Sequence, residues 1–165
     1  MDEWPSPSST ADGDQPQARV LAPGQGGRLA ALAEPATLKA GQADTGGAFE
    51  LMEASLAPYW DAGRRHRHAR QSEVVYVLEG TLAVTLGDTT LTVRRGGCVV
   101  IPPGLAHVYW NPTGAAVALL VIAAPAGREH LNAALAAASA DGALTPGQRL
   151  DLAAQHDEFS APAPR

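Results

Sequence analysis

Short apolar stretches with period-two alternation, separated by turn residues, fill the middle of the chain. Residues 81–86 set Leu82, Val84 and Leu86 against Thr81, Ala83 and Thr85, the pattern of a half-buried strand. Gly87-Asp88 supplies a two-residue hairpin turn, and residues 89–93 return. Further strands are predicted over 37–40, 49–56, 74–78, 98–101, 106–110 and 117–123, with turns at 44–47, Glu79-Gly80, 94–97, Pro102-Pro103-Gly104 and 111–114. For 49–56 the parity is open: Phe49, Leu51 and Glu53 compete with Glu50, Met52 and Ala54 for the inner face. Frequent turns and the absence of βαβ units point to an all-β sandwich or barrel.

The pattern changes after residue 127. Leu131, Leu135 and Ala138 stand at helical spacing over 128–139, and Asp141-Gly142 stops that helix. Thr145, Pro146 and Gln148 form a start signal in which Thr145 caps, Pro146 takes the first helical position and Gln148 completes a capping box. This second helix is predicted to end near Gln155, and both helices to pack on the outside of the barrel. The expected organisation is a disordered tail over 1–20, a barrel over 21–126, the helices over 127–158 and a second tail over 159–165.

Composition narrows the setting. The chain has 165 residues, 45% of them hydrophobic, enough for one core. A net charge of -5 argues against a broad nucleic-acid surface. No apolar stretch has the length of a membrane-spanning helix, and residues 1–7 lack the basic start and apolar run of a secretory signal. Cys98 is the single cysteine, so no internal disulfide forms, and a cytoplasmic location is expected. Cys98 itself reads as a small core hydrophobe, and His130 and His156 as surface residues of the helical segment.

The candidate chemistry lies in 66–111. His66 and His68 are two apart, so on one strand both imidazoles share a face. Glu73 has the opposite parity, and a bend or bulge over 69–72 would turn it inward. A glutamate among Val74, Val75 and Val77 is costly to bury without a counter-charge. Imidazoles with one carboxylate suit iron, nickel, manganese, zinc or copper. Taken singly, each histidine is better read as a satisfied surface or core residue, and 64–70 also reads as a solvated basic segment.

The spacing His66-x-His68-x4-Glu73-x6-Gly80, followed by Gly96-x5-Pro102-x-Gly104-x2-His107-x3-Asn111, resembles the two motifs of the cupin superfamily. Trp60 stands where the first motif often opens with glycine. The segments around 44–49, 125–128 and 144–146 look like those of single-domain, quercetin-dioxygenase-like cupins. This resemblance implies a double-stranded β-helix, or jelly-roll, barrel with two short C-terminal helices. It implies one divalent transition metal, iron first among the candidates, held by His66, His68, Glu73 and His107. It also implies a homodimer and a small-molecule substrate, with no nucleic-acid or membrane partner.

The expected activity is dioxygenation of a small enolic or aromatic molecule, with Glu73 as ligand, base or both, and Tyr109, inward by parity with His107, against the substrate. The alternatives are a non-redox polyketide cyclase or isomerase, and a non-catalytic binding cupin.

Overall fold

The computed structural model describes residues 18–30, 36–61, 64–140 and 142–163. The predicted N-terminal tail falls, up to residue 17, outside the described residues. In chain order the strands and helices begin with β1 (Gly27–Leu29), β2 (Ala36–Ala40), a single helical turn α1 (Gln42–Thr45) and β3 (Glu50–Leu56). The central strands are β4 (His66–His68), β5 (Ser72–Glu79), β6 (Thr81–Leu86), β7 (Thr89–Arg94), β8 (Cys98–Ile101), β9 (His107–Trp110) and β10 (Val117–Ala124). Then follow α2 (Arg128–Ala138), α3 (Pro146–Gln155) and β11 (Glu158–Ser160).

The strands form two antiparallel sheets, one ordered β1-β2-β3-β10-β5-β8 and the other β11-β4-β9-β6-β7. This is the expected jelly-roll arrangement, although the two sheets do not close into one continuous ring. Alternation explains the core between them. Met52, Ala54 and Leu56 of β3, Val75 and Val77 of β5, and Val117, Leu119, Val121 and Ala123 of β10 all point inward and are buried. Leu82, Val84 and Tyr109 meet them from the opposite sheet, and Leu131, Leu135 and Ala153 extend the same cluster beneath α2 and α3.

Local signals account for the boundaries. Thr145 caps α3 by accepting from the Gln148 amide, the Gln148 side chain returns to the Thr145 backbone, and Pro146 is the first helical residue. Gly80 joins β5 to β6 at φ +85°, and a Cβ there would lie 2.9 Å from the Ala116 carbonyl oxygen. Backbone conformation and space both demand glycine at this turn.

Four expectations are corrected. Gly27–Leu29, where no strand is predicted, pairs with β2 as a strand. Residues 44–47, read only as a turn, include the end of α1. Cys98 is exposed, because Val99 and Ile101 take the inward positions of β8 and leave Cys98 and Val100 facing out. Residues 158–160, expected at the junction of helix and tail, form β11, which pairs with all three residues of β4. Tertiary pairing creates this strand, since three residues carry no periodicity of their own.

Candidate metal centre

The expected bend between His68 and Glu73 is present. β4 ends at His68, residues 69–71 lie outside both strands, and β5 restarts at Ser72 with Glu73, Val75 and Val77 on its buried face. The break resets parity, so Glu73 turns into the barrel beside the two histidines. His107 enters from β9, whose register places it opposite His66. The four side chains converge, and their candidate ligand atoms lie within 4.8 Å of one another.

The protonation pattern follows from the hydrogen bonds. The Nδ1–H of His66 donates to the Arg64 carbonyl at 3.3 Å, that of His68 to the Asp157 carbonyl at 3.1 Å, and that of His107 to the Leu105 carbonyl at 3.0 Å. A carbonyl only accepts, so each Nδ1 carries the proton and each Nε2 presents a lone pair. All three Nε2 atoms are buried without a hydrogen-bond partner, as is Glu73 Oε1. Glu73 Oε2 stands 3.6 Å from His68 Nε2 and 3.8 Å from His107 Nε2, beyond hydrogen-bonding range. Acceptor atoms therefore face one another in a buried space, an arrangement that a cation between them would satisfy. Three imidazole nitrogens and one carboxylate oxygen are a fitting donor set for a divalent transition metal.

Charge around the cluster comes from residues beyond the two motifs. Arg128, the first residue of α2, is buried and donates from Nη2 to Glu73 Oε2 at 2.7 Å. Burial alone would push the Glu73 carboxyl up, but the Arg128 guanidinium and the neighbouring histidines hold it well below the usual carboxylate range. Burial pushes the His66 imidazole down to about 4, against the opposing pull of Glu158. His107 is also pushed down, chiefly by burial and against the pull of Glu73.

Arg128 is held in turn by Glu50, fully buried on β3. The Glu50 carboxylate accepts from the Arg128 amide at 2.7 Å, the Gly127 amide at 3.2 Å and the Glu129 amide at 3.3 Å. An anion at a helix N-terminus satisfies donors that have no partner within the helix. This contact also answers the open parity of β3: Glu50, Met52, Ala54 and Leu56 face in, and Phe49 is exposed.

Tyr109 is buried on the inward side of β9, with its ring 6.4 Å from that of Trp60. Asn111 is buried and works as a strut. Its Nδ2 donates to the carbonyls of Leu56, Ala57 and Ala115, and its Oδ1 accepts from the amide and hydroxyl of Thr113. Tyr76 faces outward as its parity requires, and His130 lies on the exposed side of α2. Arg128, Glu50, Asp157 and Glu158 are the site's neighbours that sequence reasoning did not single out. Only Arg128 left a trace, in the Pro125-Ala126-Gly127-Arg128 lead into the helix.

Residues 52–123 match the family model described as a cupin domain. Over these residues the sequence is that of a cupin domain. Its match takes in all four clustered residues, while Glu50, Arg128 and Glu158 lie outside it. An uncharacterized protein of Streptomyces coelicolor is 36% identical over 55 residues, which are 33% of this chain and 52% of that protein. The chain thus spans about half the length of the curated relative it matches. Among solved structures, a conserved Klebsiella pneumoniae protein with a double-stranded β-helix domain is similar at a TM-score of 0.51 and 14% identity, covering 67% of this chain and 92% of that one. That likeness speaks to the fold alone. A Silicibacter pomeroyi cupin described as a sugar phosphate isomerase is 27% identical at a TM-score of 0.49, covering 61% of this chain and 66% of that one. Outside the cupin domain, no helix among the described residues is long and apolar enough to cross a membrane.

Proposed function

We propose that this cupin domain is a metal-dependent enzyme, holding one divalent transition metal through Nε2 of His66, His68 and His107 and through Glu73. The observation that carries the reading is the set of four buried acceptor atoms without partners, facing one another within 4.8 Å. When bound, such an ion supplies Lewis-acid polarisation of a substrate oxygen and, if redox-active, access to dioxygen chemistry. The donor set, whose only anionic member is Glu73, suits iron as well as nickel, manganese, copper or zinc.

The residues divide the work. The three histidines present lone pairs already oriented by the backbone carbonyls on their Nδ1 atoms, so little reorganisation accompanies binding. Glu73 is better suited as a ligand than as a base, because Arg128 keeps it ionised and lowers its proton affinity. Tyr109, buried with His107 on the same strand face, is proposed to border the substrate. The substrate class is a small enolic or aromatic molecule. The finer proposal is dioxygenation of the kind that quercetin 2,3-dioxygenase performs, by a homodimer.

Elemental mass spectrometry of protein purified without oxygen, followed by oxygen-electrode assays on flavonols and related enols, tests this reading. About one equivalent of a redox metal together with oxygen uptake supports dioxygenation. Turnover without oxygen uptake transfers the proposal to cyclase or isomerase chemistry at the same ion. Protein that binds no metal even after reconstitution overturns it.

A further inference from the structure

Two of the four clustered residues sit on β4, a strand of three residues. Its main-chain support is lopsided. Toward β9 it has a single register pair, His66 with His107, and the Pro102–Gly104 corner adds one bond from the Gly104 amide to the His68 carbonyl. Toward β11 it has three register pairs: His68 with Glu158, Arg67 with Phe159 and His66 with Ser160. The Ala161 amide continues the ladder to the Arg65 carbonyl at 3.0 Å. Side chains reinforce it, with Arg64 donating to Glu158 and to Ser160 Oγ, and the Arg67 guanidinium 5.2 Å above the Phe159 ring.

Asp157 is the pivot of this contact. Its carbonyl accepts from His68 Nδ1, which fixes the tautomer that leaves Nε2 free. Its Oδ2 accepts from the backbone amides of both Arg70 and Gln71, at 3.0 Å each. These amides belong to the break that turns Glu73 inward. One residue therefore sets the ring of one proposed ligand and the turn that aims another. It does so from the left-handed region, at φ +69°, which asparagine and aspartate tolerate better than other non-glycine residues.

We infer that residues 157–160 form a clasp that sets the metal affinity of the centre, with Asp157 as its positioning residue. The inference rests on the reading that His66, His68, Glu73 and His107 hold a metal. Asp157 touches no proposed substrate position and acts through His68 and the 69–71 turn. Because the clasp favours the geometry that binds the ion, the ion must favour the docked clasp by the same factor. Metal loading should then protect the Ala161 amide, and metal removal should loosen β11.

Zinc(II) is the redox-silent probe. Its dissociation constant is measured by competition with a chromophoric chelator for wild-type protein, Asp157→Ala and Asp157→Asn. Asp157→Ala keeps the carbonyl but loses both Oδ2 bonds and strains the left-handed backbone, so it should displace that carbonyl from His68 Nδ1 and weaken zinc binding by roughly 10-fold, the low end for disturbing the partner of a metal-ligating histidine. Asp157→Asn should recover most of it, because its side-chain carbonyl accepts from both amides and it adopts the left-handed conformation. Hydrogen exchange on wild-type protein should show slower exchange at Ala161 with zinc than without, a readout independent of how the variants fold. Equal zinc affinity in wild type and Asp157→Ala, or identical Ala161 exchange with and without zinc, overturns the clasp and leaves the metal reading standing. Wild-type protein that binds no metal overturns that reading and the clasp with it.

Discussion

The Arg128–Glu73 pair makes a demanding prediction, because the loss on breaking it must be large in metal-free protein and small in metal-loaded protein. The side chains are 6% and 0% exposed and the contact is 2.7 Å. At an effective dielectric constant of about 20, their attraction is about 6 kcal/mol before desolvation is subtracted. Removing one partner of such a pair strands the other charge, at about 3–5 kcal/mol. Arg128→Met keeps most of the apolar stem, and the amide bonds to Glu50 remain, so the loss isolates the charge. In metal-free protein near pH 8, urea denaturation should show that loss.

In metal-loaded protein the ion supplies the counter-charge, and the loss should shrink toward about 1 kcal/mol, an ordinary truncation. The thermodynamic cycle then requires Arg128→Met to bind metal more tightly than wild type, by about tenfold for each 1.4 kcal/mol of difference. The pH dependence has a definite sign as well. In wild type the folded Glu73 pKa is depressed, so its contribution is present above the unfolded pKa and lost as pH falls. In the variant, burial without a counter-charge raises the folded pKa, so stability is lost as pH rises. The stability gap therefore widens from about pH 5 to pH 8. Equal losses with and without metal, or weaker metal binding by Arg128→Met, would refute the reasoning.

With the His66 imidazole held at about 4, protons compete weakly for its Nε2, and in metal-free protein its ring should stay neutral between about pH 7 and pH 5.5. A proton NMR titration in which the His66 ring signals move through a midpoint within that window contradicts this. For the metal-free protein the same depression means that the unfolded chain takes up the proton first. Its stability should fall as pH drops from the ordinary imidazole value of 6.5 toward about 4, as followed by thermal melts. Asn111→Ala removes five hydrogen bonds, three to carbonyls and two from Thr113, and should cost about 3 kcal/mol in chemical denaturation, while the folded fraction keeps its metal stoichiometry. Gly104→Ala, at φ +83° in open space, should cost about 1 kcal/mol, whereas Gly80→Ala, which also meets the Ala116 carbonyl, should cost clearly more; equal melting temperatures would contradict this ranking.

His66 and His68 were legible as a pair from local geometry, and the set of four came from the resemblance of 66–111 to the two cupin motifs. Two-residue spacing on one strand, a run without β-branched residues after it, and turns at Gly80, Gly96 and Gly104 are all written within 66–111. Thr145, Pro146 and Gln148 were legible for the same reason, since a cap needs only its own first turn. The supports were not. On hydropathy alone Phe49 and Leu51 outrank Glu50 for the interior, yet Glu50 wins because α2 presents three amides to it from the other end of the fold. Cys98 shows a milder version: a four-residue apolar run gives no parity, so which half of it faces solvent is decided by the pairing of β8 with β5. Glu158 and Asp157 carry no periodic signal, and β11 exists because β4 offers it an open edge.

The pairing of β11 with β4 also orders events during synthesis. His66, His68, Glu73 and His107 are all translated before Glu158, which follows about 50 residues after His107, a delay of several seconds at typical elongation rates. During that interval the imidazoles exist on a growing chain whose short strand has lost its larger partner. The pairing of β11 with β4 therefore comes after all four of these residues have been made, and a fusion joined close behind Ser160 would burden that step.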